Sequence, residues 1–150
     1  MTARRVRLED LSALGLASPV GPGTSWDNPW KAFSWPQWST RRPWAVGLLY
    51  PGGRDVYGTA ETEHGAAVHA VGLYLEWLSG SRRAYGRWSD ALADQREDVL
   101  ATVERGRLGG RDLACPCPIG WPCHADYLVR IGAGESPRNL LNELIGRVAA

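Results

Sequence analysis

A chain of 150 residues with a 44% hydrophobic composition fits one domain around one buried core, and a second independent domain is not expected. Its 17 basic and 16 acidic residues leave a formal net charge of +1 and are dispersed, so nothing resembles the basic stripe of a duplex-binding protein, and nucleic acid is unsupported as a partner. No apolar run of about 18 residues is present to span a bilayer. Met1 to Arg5 leads into Val6-Arg7-Leu8-Glu9-Asp10 rather than an apolar signal core, so the expected location is cytoplasmic, with no membrane partner. All three cysteines fall between Cys115 and Cys123, an odd and compressed set that makes a poor disulfide framework. In a reducing compartment such clustering points to metal, thiol chemistry or a ligand pocket.

Along the chain, Arg5-Val6-Arg7-Leu8 alternates like a short strand, Asp10 to Ala17 fits no element clearly, and Ser18 to Gly23 is turn-rich. Trp26-Asp27-Asn28-Pro29-Trp30 opens a Pro-, Trp- and Ser-rich stretch reaching Pro43, read as an ordered loop because its tryptophans bury too much area for a floppy linker. Trp44 to Tyr50, the turn Pro51-Gly52-Gly53 and Arg54 to Tyr57 form a hairpin pattern, read as part of an inserted arm. From about Thr59 the period becomes helical. Ala67, Val71, Tyr74, Leu75 and Leu78 recur at spacings of three and four, with Glu61 and Glu63 in the first turn and Gly80 past the end.

A second helix, capped by Ser89 or Asp90, aligns Leu92, Val99, Leu100 and Val103 and closes at Gly106. Gly109-Gly110 then turns the chain into an interior strand, Asp112-Leu113-Ala114-Cys115, with Cys115 at its carboxyl end. Beyond the proline-bounded loop Pro116 to Pro122, Ala125 to Ile131 reads as a helix ended by Gly132, with Cys123 and His124 at its N-terminus. Ser136-Pro137 opens a last helix over 136–149 that buries Leu140, Leu141, Leu144, Ile145 and Val148. Strands and helices together describe a single α/β domain spanning 1–150.

The strongest local signal for chemistry is the run from Cys115 to Asp126, joining a strand end to a helix start. Ligands of open α/β sheets bind beyond the carboxyl ends of strands, and a helix N-terminus offers unpaired N–H groups to an anion. A thiol placed there is favoured as thiolate, which suits Cys115 as a nucleophile, with His124 as acid, base or anion donor and Asp126 orienting it or capping the turn. Cys117 and Cys123 would line the same pocket. A metal reading competes: Cys115, Cys117, Cys123 and His124 complete a tetrahedral zinc set. Its spacing is irregular, because adjacent ligands such as Cys123 and His124 converge on one ion only where the backbone bends. The plain alternative is that the cysteines are small buried residues and His124 a helix cap.

Trp26 and Asn28 are candidate ligand-binding residues, the indole stacking on a flat ring and the amide meeting a base or ribose, against the simpler reading of a loop pinned by tryptophan burial. His64 and His69, five apart in the first helix, do not share a face and are not expected to be ligands. Gly21-Pro22-Gly23 is first a turn and only distantly a phosphate loop.

The two segments, in this order, resemble domain-of-unknown-function family 4326, small proteins of bacteria and their phages. The early motif corresponds to Val20-Gly21-Pro22 and Trp26-Asp27-Asn28-Pro29-Trp30. The later one corresponds to Gly110-Arg111-Asp112-Leu113, Cys115-Pro116-Cys117 and Cys123-His124-Ala125-Asp126-Tyr127-Leu128. A middle helix around Ala67 to Leu78 is also similar, so the likeness covers about 4–131, with about 31–57 as an insertion and the last helix outside it. Pro22 stands where the family has arginine, Asp27 where it has glycine, and Pro116 where it has tryptophan, so an anion contact through that arginine has no counterpart here. The resemblance implies a small Rossmann-like three-layer domain with a short, mostly parallel sheet, and a nucleotide-related role in which Gly21 joins Trp26 and Asn28 at the ligand.

The expected function is therefore the processing of a nucleotide or nucleoside derivative by a hydrolase or glycosidase-type enzyme, with Cys115, His124 and Asp126 at the chemistry and a small nucleotide-like molecule as partner. A non-catalytic module that senses a nucleotide or engages a protein through the tryptophan-rich insertion is the second expectation. A zinc-stabilised structural domain is the third.

Overall fold

The computed structural model of the chain describes residues 3–7, 17–81 and 89–150. The ambiguous stretch from Asp10 to Leu16 and the side-chain cap at Ser89 lie outside the described residues. Six strands and four helices are described, in two small sheets of three strands each. In the parallel sheet, β1 (Arg5–Arg7) and β2 (Ser18–Pro19) flank β6 (Leu113–Cys115). The register sets Arg5, Val6 and Arg7 opposite Leu113, Ala114 and Cys115. Every residue of β6 is buried, as expected of a central parallel strand covered on both faces.

The second sheet is antiparallel, in the order β3 (Trp30–Ser34), β4 (Trp44–Tyr50), β5 (Gly53–Ala60). A bulge between Val46 and Gly47 passes Gly47 so close to its neighbour that a Cβ there would lie 2.1 Å from the Asp55 carbonyl oxygen. Only glycine fits such an approach. The β4–β5 hairpin appears as its sequence pattern predicts. The segment read as a loop contains β3, because Pro29 and Pro36 bracket a pairing-competent run without entering it. An edge strand tolerates such flanking prolines, and its regularity comes from pairing with β4 rather than from its own composition.

Helix α1 (Glu63–Leu78) begins where the Thr62 hydroxyl accepts the Gly65 amide at 3.0 Å. It packs against all three antiparallel strands and buries Val71, Tyr74, Leu75, Trp77 and Leu78. Trp30 from β3 meets Trp77 edge-on at 5.7 Å, and the Trp77 indole N–H donates to Leu92 O at 3.0 Å, tying α1 to α2 (Ser89–Glu104). Helix α3 (His124–Gly132) follows the cysteine loop. The last helix, α4 (Pro137–Ala149), is capped by Ser136, which accepts the Asn139 amide at 3.3 Å, and packs on α1 and α3. Of the residues expected to be buried on it, Leu140 is, whereas Ile145 and Val148 are exposed.

The fold class is thus mixed α/β, but the parallel sheet does not dominate. Two or three residues per strand are enough to join β1, β2 and β6, and the longer strands are antiparallel. No helix of the described residues is long and apolar enough to cross a membrane.

Candidate functional site

The carboxyl end of β6 delivers Cys115 into the core, and the loop 116–122 carries the chain to Cys123, the residue that precedes α3. Cys123 is extended, with φ −147° and ψ 137°, while His124 is the first helical residue. The backbone therefore bends between these neighbours. Cys115, Cys123 and His124 are all buried, and their thiol sulfurs and a ring nitrogen lie within 4.8 Å of one another. Cys115 Sγ donates to Cys117 Sγ at 3.4 Å, so a third sulfur lies beside the group without coming within 4.8 Å of all its members. None of the three cysteines is in a disulfide.

His124 is oriented from two sides. Its Nε2 lies 2.8 Å from the carbonyl oxygen of Val20, and a carbonyl only accepts, so Nε2 is the donor in this bond. Nδ1 in turn lies 3.9 Å from Cys123 Sγ. Tyr74 packs its ring edge-on against the imidazole at 5.2 Å and donates its hydroxyl to Trp26 O at 3.0 Å. Val20 is itself held by its amide, which donates to Ala114 O at 2.9 Å. Gly21 passes close to the loop, since a Cβ there would lie 2.8 Å from Pro116 Cδ and 3.9 Å from Cys115 Sγ.

The thiols do not titrate alike. Hydrogen bonds from Cys115 and Cys117 hold the Cys123 thiol far below its ordinary value, with burial opposing them and His124 assisting. Hydrogen bonds with Cys117 and then Cys123 push Cys115 far up, as burial also does. At Cys117 the Cys115 thiol pulls downward, but Cys123 and burial leave it raised overall, with the Arg5 charge pulling downward.

Asp126 was expected beside the imidazole, and the structure gives it a different partner: its Oδ1 lies 3.1 Å from Arg5 Nε, and no hydrogen bond among the described residues joins it to His124. Burial raises its carboxyl, with the Arg5 charge pulling the other way. Asn28 is buried, and its amide is engaged internally, donating to Ala70 O at 2.9 Å and accepting the Trp30 amide at 3.0 Å. That arrangement staples the loop to α1. Trp26 is half-buried against the core and offers its carbonyl to Tyr74.

A cavity of about 280 Å³ is lined by Cys115, Cys117, Cys123 and His124 together with Asn28 and Trp30, so the two sequence segments do face one another. A larger groove of about 650 Å³ takes in Arg5, Trp121, Cys123, Asp126 and Arg130. The chemistry attaches to the smaller one, which all three cysteines and the histidine share. Sequence reading placed Val20 in the early motif without a contact to His124 and gave Tyr74 and Arg5 no place at the site, because those contacts depend on strands and helices meeting across the fold. Within the tryptophan-rich segment, Trp30 enters the core, whereas Trp35 and the exposed Trp38 stack at 5.4 Å.

These elements define a mixed α/β domain carrying a buried Cys/His cluster. A family profile described as "Domain of unknown function (DUF4326)" matches residues 5–134, and the chain belongs to that family. The matched span runs from β1 through α3 and takes in the whole cluster, while α4 lies beyond it. No curated protein and no solved structure matches the chain.

Proposed function

We propose that this domain binds a zinc ion through Cys115, Cys117, Cys123 and Nδ1 of His124, and that the ion locks the loop 116–122 and the start of α3 onto β6. The observation that carries the reading is the bond between His124 Nε2 and Val20 O. A metal-binding histidine characteristically donates its other ring N–H to a carbonyl or carboxylate, which fixes the tautomer and turns the bare nitrogen to the ion. Bond lengths of about 2.3 Å to sulfur and 2.0–2.1 Å to nitrogen imply ligand separations of roughly 3.8 Å and 3.6 Å around a tetrahedral ion. The 3.4 Å between Cys115 and Cys117 is shorter than the first and the 3.9 Å between Cys123 and His124 longer than the second, so small side-chain shifts would bring these ligands onto one ion. The bend between Cys123 and His124 supplies what adjacent ligands require. Three unbridged thiols suit a reducing compartment, hence the cytoplasm.

A second reading is supported by the cavity against the sulfurs. Here the three parallel strands are a Rossmann-like core, a nucleotide or nucleoside derivative sits beyond the carboxyl end of β6, and Cys115 or His124 acts on it. Native mass spectrometry of gently purified protein separates the two. One zinc per chain supports the first, whereas a metal-free protein carrying a nucleotide-sized adduct supports the second and rejects the first.

A further inference from the structure

Arg5 lies across the sheet from the cysteine loop. It pairs with Leu113 on β6, and because side chains alternate along a strand it shares a face with Arg7 and Cys115. Its side chain is only 4% exposed. One nitrogen, Nη2, donates to Pro118 O at 3.2 Å, inside the loop, and Nε reaches Asp126 on α3, so a single guanidinium spans the loop from its middle to its far end. Nη1 is buried and has no hydrogen-bond partner among the described residues, nor is Nε aligned for a hydrogen bond to Asp126. A buried cationic N–H without an acceptor is costly, and the carboxylate beside it is 46% exposed and shares its charge with water.

The sulfur cluster offers chemistry able to absorb that charge. Zinc with three thiolates and a neutral imidazole carries a net charge of −1, buried, and a coordinated thiolate still accepts hydrogen bonds. Arg5 and Cys123 line one groove, and the Pro118 that Arg5 holds directly follows Cys117. We infer that Arg5 is the counter-charge and positioning residue of the metal centre, bridging Pro118 and Asp126 while directing its remaining N–H groups at the coordinated sulfurs. This rests on the zinc reading above.

The test uses the full chain with Arg5→Met, Arg5→Lys and Asp126→Asn. Zinc affinity is read by competition with a chromogenic chelator, and sulfur donation by the sulfur-to-metal charge-transfer band of the cobalt-loaded protein. Arg5→Met should bind zinc about ten- to a hundredfold more weakly, the range typical of outer-shell partners. Its cobalt band should move to lower energy, which a merely structural role would not cause, and Arg5→Lys should recover part of the affinity. Asp126→Asn, at a half-exposed position, releases Arg5 from its competing carboxylate and should tighten binding. Should Arg5→Met fail to fold, Asp126→Asn and Arg5→Lys decide. Affinities within twofold of the parent with an unmoved cobalt band overturn the role of Arg5. A parent chain that takes up neither zinc nor cobalt overturns the zinc reading itself, and the inference with it.

Discussion

His124 gives its Nε2 proton to the carbonyl oxygen of Val20 across 2.8 Å, and that contact determines which edge of the imidazole meets the cysteines. Val20 can do this because its own amide continues the β2 pairing onto Ala114, one residue before Cys115. The strand that presents the first sulfur is thus bonded to the residue that orients the ring.

Metal removal should be visible as lost stability. An ion bound only by the folded state adds about 4 kcal/mol when free metal exceeds its Kd a thousandfold, or on the order of 10 °C in Tm for a chain of this size. Calorimetry with and without a strong chelator should show that drop in the parent chain and none in Cys115→Ser or His124→Ala. Cys117→Ser, which changes the half-buried sulfur, should retain a smaller one. A parent Tm indifferent to chelator would end the zinc reading.

Asn28 tests the difference between recognising a ligand and holding the fold. Its amide bonds Ala70 O and the Trp30 amide in a buried setting, so Asn28→Ala leaves the Trp30 amide without its acceptor, while Ala70 O keeps its helical partner, and should cost about 1–3 kcal/mol in urea unfolding. A pure ligand contact would leave the urea midpoint in place.

Gly21 approaches the cysteine loop more closely than any other side chain permits at that point. In Gly21→Ala the new methyl group would meet Pro116 Cδ at 2.8 Å, and something must shift. Destabilisation of roughly 1–3 kcal/mol is expected, as for other overpacked sites. Because Pro116 lies between Cys115 and Cys117, zinc affinity should fall as well, and equal zinc affinity in the two proteins would show that the loop yields without moving its sulfurs.

His69 gives the molecule a pH dependence remote from the cysteines. Burial holds its pKa below the ordinary value, and Glu76 opposes this more weakly. The folded state therefore takes up the proton less readily than the unfolded chain, whose value is about 6.5. The sign follows: stability is full above that value, falls as pH drops through it, and levels off below the depressed folded value. Unfolding free energies of His69→Gln and the parent, compared from about pH 7 to pH 5, should diverge, with the variant less sensitive to acid. Parallel curves would contradict this.

Much of the architecture was legible in the sequence where a segment's own pattern decides its state. The apolar period of α1, the proline at the start of α4 and the glycines around β6 each act locally, and those elements appear where expected. β3 and β2 were not legible, because their regularity is supplied by strands distant in sequence. The cluster could be read because its ligands fall within one short segment. Its geometry could not: Val20 and Tyr74 reach it from two other parts of the chain, and Asp126, placed beside His124 by proximity in sequence, turns instead to Arg5. The nucleotide-recognition roles expected of Trp26 and Asn28 came from residue type alone, which does not reveal that the Asn28 amide has internal partners.

The position of β6 has a consequence for how the molecule is made. Among the described residues β1 and β2 do not pair with each other, and each pairs with a strand that lies roughly 95 to 108 residues further along. On a ribosome both edges must wait, while the antiparallel sheet and α1 are complete well before residue 113 emerges. Closure of such distant pairs is slow, so the last strand to be synthesised is the one on which the parallel sheet is built. Cys115 ends that strand, and the sulfurs are therefore gathered at the moment this half of the fold closes.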